Sequence, residues 1–215
     1  MLIRNDGTVS ALLKDIPIPR MFVAGQKFPD AHIEREEIHQ AIFDAIARAQ
    51  VGDRVKPGMV IAITAGSRGI RNVDEITRCV VEFVKSRGAT PFIVPAMGSH
   101  GGATAEGQKE LLAGYGITEE AVGCEIRSSM ETVYLGQSEL GKPVYMDKNA
   151  YLADGVILSC RLKPHNAFRG PVESGPSKMM TIGLGKQKGA EQVHSDGMDI
   201  IAKNIPTMAK VVLGT

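Results

Sequence analysis

Three of the five histidines and one lysine lie in loops punctuated by glycine or proline. His100 lies in Gly-Ser-His-Gly-Gly, His165 in Lys-Pro-His-Asn and Lys178 in Ser-Gly-Pro-Ser-Lys, and His194 ends Gly-Ala-Glu-Gln-Val-His. Imidazole exchanges protons near neutral pH and also binds metals, and the amine of a lysine can anchor a cofactor covalently. These residue types predict acid–base chemistry on a small anionic substrate, and the residues alone leave the reaction open.

Each of these residues also has an ordinary structural interpretation. His100 fits a polar loop residue, Lys178 a surface lysine, and His194 a side chain that complements the C-terminal dipole of a helix. The similarity between His100 and His165 favours a shared site, because both follow predicted buried strands and parallel strands end at one side of a sheet. We therefore expect the two imidazoles to face each other across a substrate.

The loop Ser67–Arg71 follows a predicted buried strand and precedes a predicted helix. Backbone N–H groups and the positive end of the helix dipole favour an anion there, and Arg68 and Arg71 add forked donors for a carboxylate or a phosphate. A solvated loop that binds nothing is the alternative. The chain has no Gly-x-x-x-x-Gly-Lys-Ser/Thr phosphate loop, and the first strong strand is not followed by the dinucleotide pattern Gly-x-Gly-x-x-Gly.

Glycines and lysines near these residues add weaker signals. Gly98 and Gly175 precede two of the candidate residues, and we expect them to let the backbone pass close to a ligand. Lys186 and Lys188 are interpreted as solvated side chains or as donors to a phosphate.

Apolar runs and helical periodicity alternate along the chain. Strands are predicted at residues 59–65, 91–97, 155–160 and 179–184, with short strands at 125–127, 132–135 and 143–146. Helices are predicted at residues 33–50, 72–87, 104–113, 188–194 and 198–213, the last interrupted at Pro206, with Asn72 and Thr104 as caps and short turns at 118–122 and 149–153. Residues 1–28 are predicted to be extended. The alternation indicates an α/β fold with a doubly wound, mostly parallel, Rossmann-like sheet, flanking helices and short additional strands.

The composition restricts the class of protein. The 215 residues carry a formal net charge of +1 with scattered Arg and Lys, so no nucleic-acid partner is expected. Apolar runs too short to span a bilayer and the lack of a signal peptide predict a cytoplasmic protein that binds no membrane. The three cysteines lack metal-ligand spacing and are expected to be free thiols.

Residues 1–215 are interpreted as one α/β cofactor-binding domain, with an extended segment and a helix in residues 1–50 that pack on it. The chain stops within a helix-like segment, so we expect it to be the N-terminal part of a longer, two-domain protein.

From residue 55 to residue 194, about two-thirds of the chain, the order of short motifs resembles the nickel-dependent lactate racemase family. The motifs that carry the resemblance are, in chain order, Arg54-Val55-Lys56-Pro57-Gly58, Ser67-Arg68, Gly98-Ser99-His100, Tyr134-Leu135-Gly136, Gly141-Lys142-Pro143-Val144-Tyr145, Pro164-His165, Ser174-Gly175-Pro176-Ser177-Lys178 and His194. The separation between Lys178 and His194 also suits the family's cofactor lysine and metal histidine.

The resemblance implies an isomerase that racemises or epimerises a 2-hydroxy acid with a nickel-pincer nucleotide. This cofactor is a pyridinium ring tethered to a lysine through a thioamide, with nickel held by sulfur, carbon and a protein histidine. In the implied reaction a histidine removes the proton of the 2-hydroxyl group while hydride leaves C2 for the cofactor. The hydride then returns to either face of a planar 2-keto acid, which calls for two acid/bases on opposite sides.

Carried over to this chain, the family's roles fall on residues of the loops described above. The implied assignments are Lys178 as the covalent tether, His194 as the nickel ligand, His100 and His165 as the paired acid/bases, Ser67, Gly98 and Gly175 around the cofactor, and Arg68 and Arg71 on the substrate carboxylate. The family's C-terminal domain, which closes the active site, is the implied partner.

Departures from the family pattern leave the substrate open. The first loop reads Ala-Gly-Ser-Arg-Gly where members have an acidic residue, a threonine and a proline after the arginine, and Gly101 replaces an arginine. A larger or differently charged 2-hydroxy acid, such as a sugar-derived one, is as consistent as lactate. Two other functions stay open: a non-catalytic or nickel-free ligand-binding domain of the same fold, and a nicotinamide-type dehydrogenase.

Overall fold

A computed structural model describes residues 7–17, 19–28 and 31–215, which divide into two compact units, residues 1–32 and 33–215. In the first unit, helix α1 (Thr8–Leu13) shows that the prediction of an extended chain was wrong there. Pro17 and Pro19, on which that prediction rested, come after its last turn and so do not interrupt the helix. The remaining described residues of this unit form neither helix nor strand, and residues 1–6 and 18 of the predicted extended stretch lie outside the described residues.

Six strands in the second unit form two sheets. They are β1 (Val60–Ala65), β2 (Thr90–Pro95), β3 (Glu125–Ile126), β4 (Thr132–Gln137), β5 (Pro143–Asp147) and β6 (Gly155–Ile157). The central sheet is parallel in the order β3-β2-β1-β6, and β4 and β5 form a separate antiparallel pair.

Helices connect the strands and cover the sheet. They are α2 (Ile38–Arg48), α3 (Val73–Ser86), α4 (Ala105–Ala113), α5 (Glu119–Val122), α6 (Lys148–Tyr151), α7 (Pro176–Lys178), α8 (Lys186–His194) and α9 (Met198–Leu213), with a π-helical turn at Met179–Gly183 and 3₁₀ turns at Arg35–Glu37, Gly52–Arg54 and Gly101–Ala103. Within the described residues, no helix combines the length and the apolar character needed to cross a bilayer.

The central sheet separates two hydrophobic cores. Side chains alternate along β1 and β2, so that the paired residues Ile63 and Ile93 face one core while the paired residues Ala62 and Phe92 face the other. The first core lies against α2, α3, α4 and α5, and the second against α8, α9 and the β4–β5 pair. The predicted α/β fold with a mostly parallel sheet and helices on both faces is therefore confirmed.

The predicted strand at residues 179–184 was wrong, because this segment is the π-helical turn. A short apolar run fits a buried strand and a buried helix equally well, so periodicity could not decide between them. Pro176 at the first position of α7 starts the helical path, and the N–H of Leu184 donates to the carbonyl of Met179 at 2.8 Å, which closes the wider turn.

The predicted strand at residues 155–160 ends early, at Ile157, and its side chains are only half-buried. Beyond that point the hydroxyl of Thr64 on β1 replaces the strand ladder. It accepts from the N–H of Ser159 at 2.9 Å and donates to the carbonyl of Ser159 at 3.3 Å. The loop that follows therefore leaves the sheet at a fixed point.

Two predicted helix features also differ. The side chain of Asn72, whose backbone is left-handed (φ 58°), makes no capping hydrogen bond to α3, whereas Thr104 caps α4 as predicted by accepting from the N–H of Gly107.

Helix α9 continues through Pro206, where an interruption was predicted. Proline costs a helix about 3 kcal/mol, but Ile205 and Met208 on either side are fully buried, at about 1.5–3 kcal/mol each.

Lys186 contradicts its interpretation as a solvated or phosphate-directed lysine, because its side chain is only 1% exposed. Its ammonium group lies 3.1 Å from the carboxylate of Asp147, which is 0% exposed, and donates to the carbonyl of Pro95 at 2.5 Å and to Oε1 of Gln108 at 3.2 Å. Burial lowers the pKa of Lys186 and the negative charge of Asp147 opposes that effect. The ion pair joins α8 to β5 and to the end of β2.

We expect Lys186→Met to lower the free energy of unfolding by about 3–5 kcal/mol, because it leaves the Asp147 carboxylate buried without a cation. The double variant Lys186→Met/Asp147→Asn should recover much of that loss, since neither charge is then buried alone. Urea denaturation measures both. Lys210→Met, which removes an exposed ion pair with Glu139, is the control and should cost no more than about 1 kcal/mol. A double variant as unstable as the sum of its single variants would contradict this.

Candidate functional site

Three loops carry the candidate residues, and all three leave the same edge of the central sheet. They follow β1, β2 and β6, which are neighbours in the order β2-β1-β6 and run parallel, so that their carboxyl ends coincide. The strand order reverses between β1 and β6, which is where doubly wound sheets open a crevice for ligands.

A cavity of about 780 Å³ lies at this edge. Its lining includes the predicted residues Ser67, Arg68, His100, His165, Gly175, Lys178 and His194. Two other predicted residues, Gly98 and Arg71, are not part of the lining. The structure thus brings all three candidate histidines and the candidate lysine to one cavity, together with one of the two arginines.

The loop of His100 is held by contacts that require glycine. Gly101 has φ 65°, and a Cβ atom there would lie 2.6 Å from the backbone of Gly107 in α4. The buried amide of Gln108 donates to the carbonyls of Gly98 and His100 at 2.9 and 3.2 Å. The backbone of the loop is therefore fixed against α4 before its imidazole meets a ligand.

The imidazole of His100 is oriented by Ser67. Its Nδ1 atom lies 2.5 Å from the hydroxyl oxygen of Ser67. The backbone of Ser67 is held in turn, because its carbonyl accepts a hydrogen bond from the hydroxyl of Tyr115 at 2.8 Å. The sequence placed Ser67 beside the cofactor, and the structure places its hydroxyl group on His100. This contact leaves Nε2 of His100 available for proton exchange with a ligand.

His165 is oriented in a comparable way by its own loop. Its Nδ1 atom accepts from the N–H of Ala167 at 3.1 Å, its ring packs on that of Phe168 at 4.2 Å, and its backbone N–H donates to Glu173 at 2.8 Å. Arg169 also donates to the carbonyl of His165. Because a backbone N–H only donates, the neutral ring carries its proton on Nε2.

Lys178 reaches the cavity from a helical turn. Gly175 precedes α7 with φ 83° and ψ −154°, a conformation that residues with a Cβ atom rarely adopt, so glycine is favoured there. Pro176 then starts the turn. The Lys178 side chain is half-buried. Burial first, and then the positive charges of Lys163 and Arg68, lower the pKa of its ammonium group.

His194 ends α8. Its Nδ1 atom lies 2.6 Å from the carbonyl of Ala190, which can only accept, so Nδ1 carries the proton and Nε2 keeps a free lone pair. This is the arrangement of a histidine that binds a metal through Nε2. Among the described residues, no group of three or more His, Cys, Asp or Glu side chains is arranged to hold a metal ion. Any metal here would need further ligands from a bound cofactor.

The surroundings favour the neutral forms of both candidate acid/bases. The pKa of His100 is lowered by burial and then by the charges of Arg68 and Lys178. The pKa of His165 is lowered by burial and then by Lys178 and Lys163, with Glu173 opposing. The surroundings therefore favour the neutral form of both imidazoles over the imidazolium form.

Sequence reasoning missed two cationic side chains of the cavity, Arg161 and Lys163. They precede His165 by four and by two residues, a spacing that places side chains on one face wherever a chain is extended, which was a usable signal. In the described part of the chain, no carboxylate forms a salt bridge with Arg68, Arg161 or Lys163, in contrast to exposed pairs elsewhere such as Arg35–Asp74. Lys178 is likewise unpaired there.

The only carboxylate of the described lining is Glu191, so the cavity carries a surplus of positive charge. Glu191 accepts a hydrogen bond from Gln187 at 2.9 Å, one turn earlier on α8. Unpaired cations beside the imidazoles favour an anionic ligand, because the ligand's charge supplies the missing partner.

Comparisons with known proteins identify the family of the chain. The family model described as the lactate racemase N-terminal domain matches residues 8–204. A search of curated proteins found no match. The match covers the predicted motifs from the first strand to His194 and confirms the resemblance. Because it spans most of the described residues, the chain belongs to the lactate racemase N-terminal domain family.

Proposed function

We propose that this chain is the cofactor-binding part of a 2-hydroxyacid racemase or epimerase that uses a lysine-tethered nickel-pincer nucleotide. One observation carries the proposal: Lys178, His194 and the imidazoles of His100 and His165 line one cavity with unpaired cations. An amine, a metal-binding nitrogen and two acid/bases are the groups that this chemistry needs from the protein.

The donor set of the cavity fits the cofactor. Lys178 would be the tether, because a covalent bond through nitrogen needs the neutral amine and its surroundings lower the pKa of the ammonium group. His194 would hold the nickel through the free lone pair of Nε2, while the Ala190 carbonyl fixes the ring. When bound, the cofactor supplies the hydride acceptor and donor for C2 of the substrate.

The chain's own residues would bind the substrate and move its proton. Arg68 would take the carboxylate through its forked donors. His100 would accept the proton of the 2-hydroxyl group through Nε2. His165 would serve the mirror-image substrate through Nδ1, which holds the lone pair of its neutral ring, in place of the hydrogen bond from Ala167. Ser67 would keep the ring of His100 in place during the transfer, and the packing on Phe168 would do so for the ring of His165.

The cavity also bears on the substrate class. Arg68, Arg161 and Lys163 offer more positive charge than one monocarboxylate needs, so the same cavity suits the phosphate of the nucleotide and an acid larger than lactate. The family's C-terminal domain would close the open side and exclude water from the reaction. Two alternative functions are a nickel-free binding domain and a nicotinamide-dependent dehydrogenase. The experiments below distinguish the proposed racemase or epimerase from both.

Protein co-expressed with the cofactor's biosynthetic machinery should carry a mass increment on Lys178, located by intact mass and peptide mapping. Lys178→Ala should lose the increment, while Lys163→Ala, which removes another amine of the same cavity, should retain it. His194→Ala should retain the increment and lose bound nickel. Co-expressed protein without an increment would favour the nickel-free alternative, and tight binding of a nicotinamide dinucleotide by calorimetry would favour the dehydrogenase.

His100→Asn and His165→Asn should each lower kcat/KM for racemisation of the full-length enzyme by about 10²–10⁴, the usual contribution of a general acid or base. Polarimetry on a panel of 2-hydroxy acids measures the loss. His39→Asn is the control, because His39 packs on Phe43 in α2 and does not line the cavity. Wild-type rates in either cavity variant would remove that histidine from the mechanism.

Arg68→Gln should raise the pKa of His100, because the positive charge that disfavours the imidazolium form is gone. Since the neutral base is the active form in the forward step, the acidic limb of the pH–rate profile should move to higher pH. Histidine NMR titration of the cofactor-free chain measures the pKa directly. Arg71→Gln, which removes the same charge outside the lining, should leave it unchanged. Equal effects of the two variants would contradict a local role for Arg68.

A further inference from the structure

We propose that Gln108 and Lys186 are positioning residues that hold the loop of His100 in register with helix α8. The inference rests on the proposed function only in that His100 serves as an acid/base there. Neither residue lines the cavity, and both are fully buried behind it. They would act through the backbone of the His100 loop rather than by touching a substrate.

The amide of Gln108 is used at both ends. Its nitrogen donates to the carbonyls of Gly98 and His100, at 2.9 and 3.2 Å, so that both hydrogens bind the loop. Its oxygen accepts from the ammonium group of Lys186 at 3.2 Å. A glutamine whose oxygen accepts from an ammonium group cannot flip its amide, because a flip would turn N–H groups toward the cation. Lys186 therefore fixes which end of Gln108 faces the loop.

Lys186 is in turn fixed from three directions. Asp147 at the end of β5 neutralises its charge, Pro95 at the end of β2 accepts from it, and its own backbone adopts φ 55°, a conformation that non-glycine residues rarely hold. The preceding Gly185 packs so closely that a Cβ atom there would lie 2.1 Å from the carbonyl of Thr181. The ammonium group is therefore fixed in place, as a positioning role requires.

The network connects the two sides of the cavity. Lys186 begins α8 and His194 ends it, while Gln108 binds the backbone of His100 itself. A second contact joins the His100 loop to the segment before α8: the N–H of Gly98 donates to the carbonyl of Gly183 in the π-helical turn after Lys178. The loop of one acid/base is thereby joined to the helix that would hold the metal.

The test uses Gln108→Met, which keeps the volume and removes every polar contact of the amide. Asn204→Leu is the matched control: it also replaces a fully buried amide, one that donates to the carbonyl of Val193 at the other end of α8. Both variants lose a buried amide, so both are expected to be less stable. Only Gln108→Met should change His100.

The readout is histidine NMR on the cofactor-free chain, with the His100 signals assigned through His100→Asn. In Gln108→Met we expect the ¹⁵N shift of Nδ1 to move, because the contact with Ser67 loosens, and the titration midpoint to rise toward the ordinary histidine value of about 6.5. In Asn204→Leu both should match the wild type. His100 signals that stay unchanged in folded Gln108→Met would overturn the proposal and leave Gln108 a purely structural residue.

A second variant keeps the test decisive where Gln108→Met does not fold. Lys186→Met/Asp147→Asn removes the donor to Gln108 without leaving a lone buried charge, and it should change the His100 signals in the same direction. Unchanged signals in this double variant would equally overturn the proposal.

The NMR test of the positioning role can succeed or fail independently of the tests of the proposed function. No cofactor is needed for the NMR measurement, so a missing increment on Lys178 leaves this test intact. In the loaded full-length enzyme, Gln108→Met should lower kcat about tenfold or more with KM nearly unchanged, as expected when orientation rather than substrate binding is lost. A change confined to KM would contradict a positioning role.

Discussion

The structure depends on the burial of one ammonium group between elements that are far apart in the chain. Lys186 is held by Asp147 at the end of β5, by the carbonyl of Pro95 at the end of β2 and by Gln108 in α4. A buried charge tolerates little movement of its partners, because any partner that withdraws leaves a desolvated group without compensation. The ion pair therefore fixes helix α8, and with it His194, against the edge of the sheet where the loops of the cavity begin. Its value to the molecule is this geometry more than net stability.

The second constraint is the direction of the strands. Because β1, β2 and β6 run parallel and lie side by side, the loops after them must meet at one edge, whatever their sequences. The hydroxyl of Thr64 then replaces the ladder beyond Ile157 and sends the last of these loops away from the sheet. The loop reaches His165 through Arg161 and Lys163, which adds two cations to the cavity. The direction of the strands thus determines where the cavity lies, and the side chains of its loops determine its positive charge.

The sequence predicted what depends on local pattern. Strands that end in glycine-bounded loops placed His100 and His165 at one edge, and capping chemistry placed the start of α4 at Thr104. It could not predict the burial of Lys186, because nothing in Gly-Leu-Gly-Lys-Gln-Lys differs from a solvated turn, and its partner Asp147 is distant in the chain. The apolar run at residues 179–184 had no period that separates a strand from a buried helix, so its π-helical path depended on the tight packing of Gly183 against Ala96. The two-residue spacing of Arg161, Lys163 and His165 could have predicted the two cations of the cavity, but the sequence analysis did not use it.

The charges of the cavity give its imidazoles two different states. Arg68 lowers the pKa of His100, Lys163 lowers that of His165, and Lys178 lowers both, so in the open cavity the neutral bases are favoured. An anion bound among these cations offsets their field and raises both pKa values, because a nearby negative charge favours the imidazolium form. A histidine that has accepted a proton from the ligand is then stabilised by the same ligand. The contact of Nδ1 with Ser67 leaves Nε2 of His100 for the exchanged proton. The neutral ring of His165 already carries its proton on Nε2, and its lone pair lies on Nδ1, beside the N–H of Ala167. Under the proposed function, the unpaired cations would therefore serve proton transfer as well as binding, because they favour the neutral form of both imidazoles while no anion is bound.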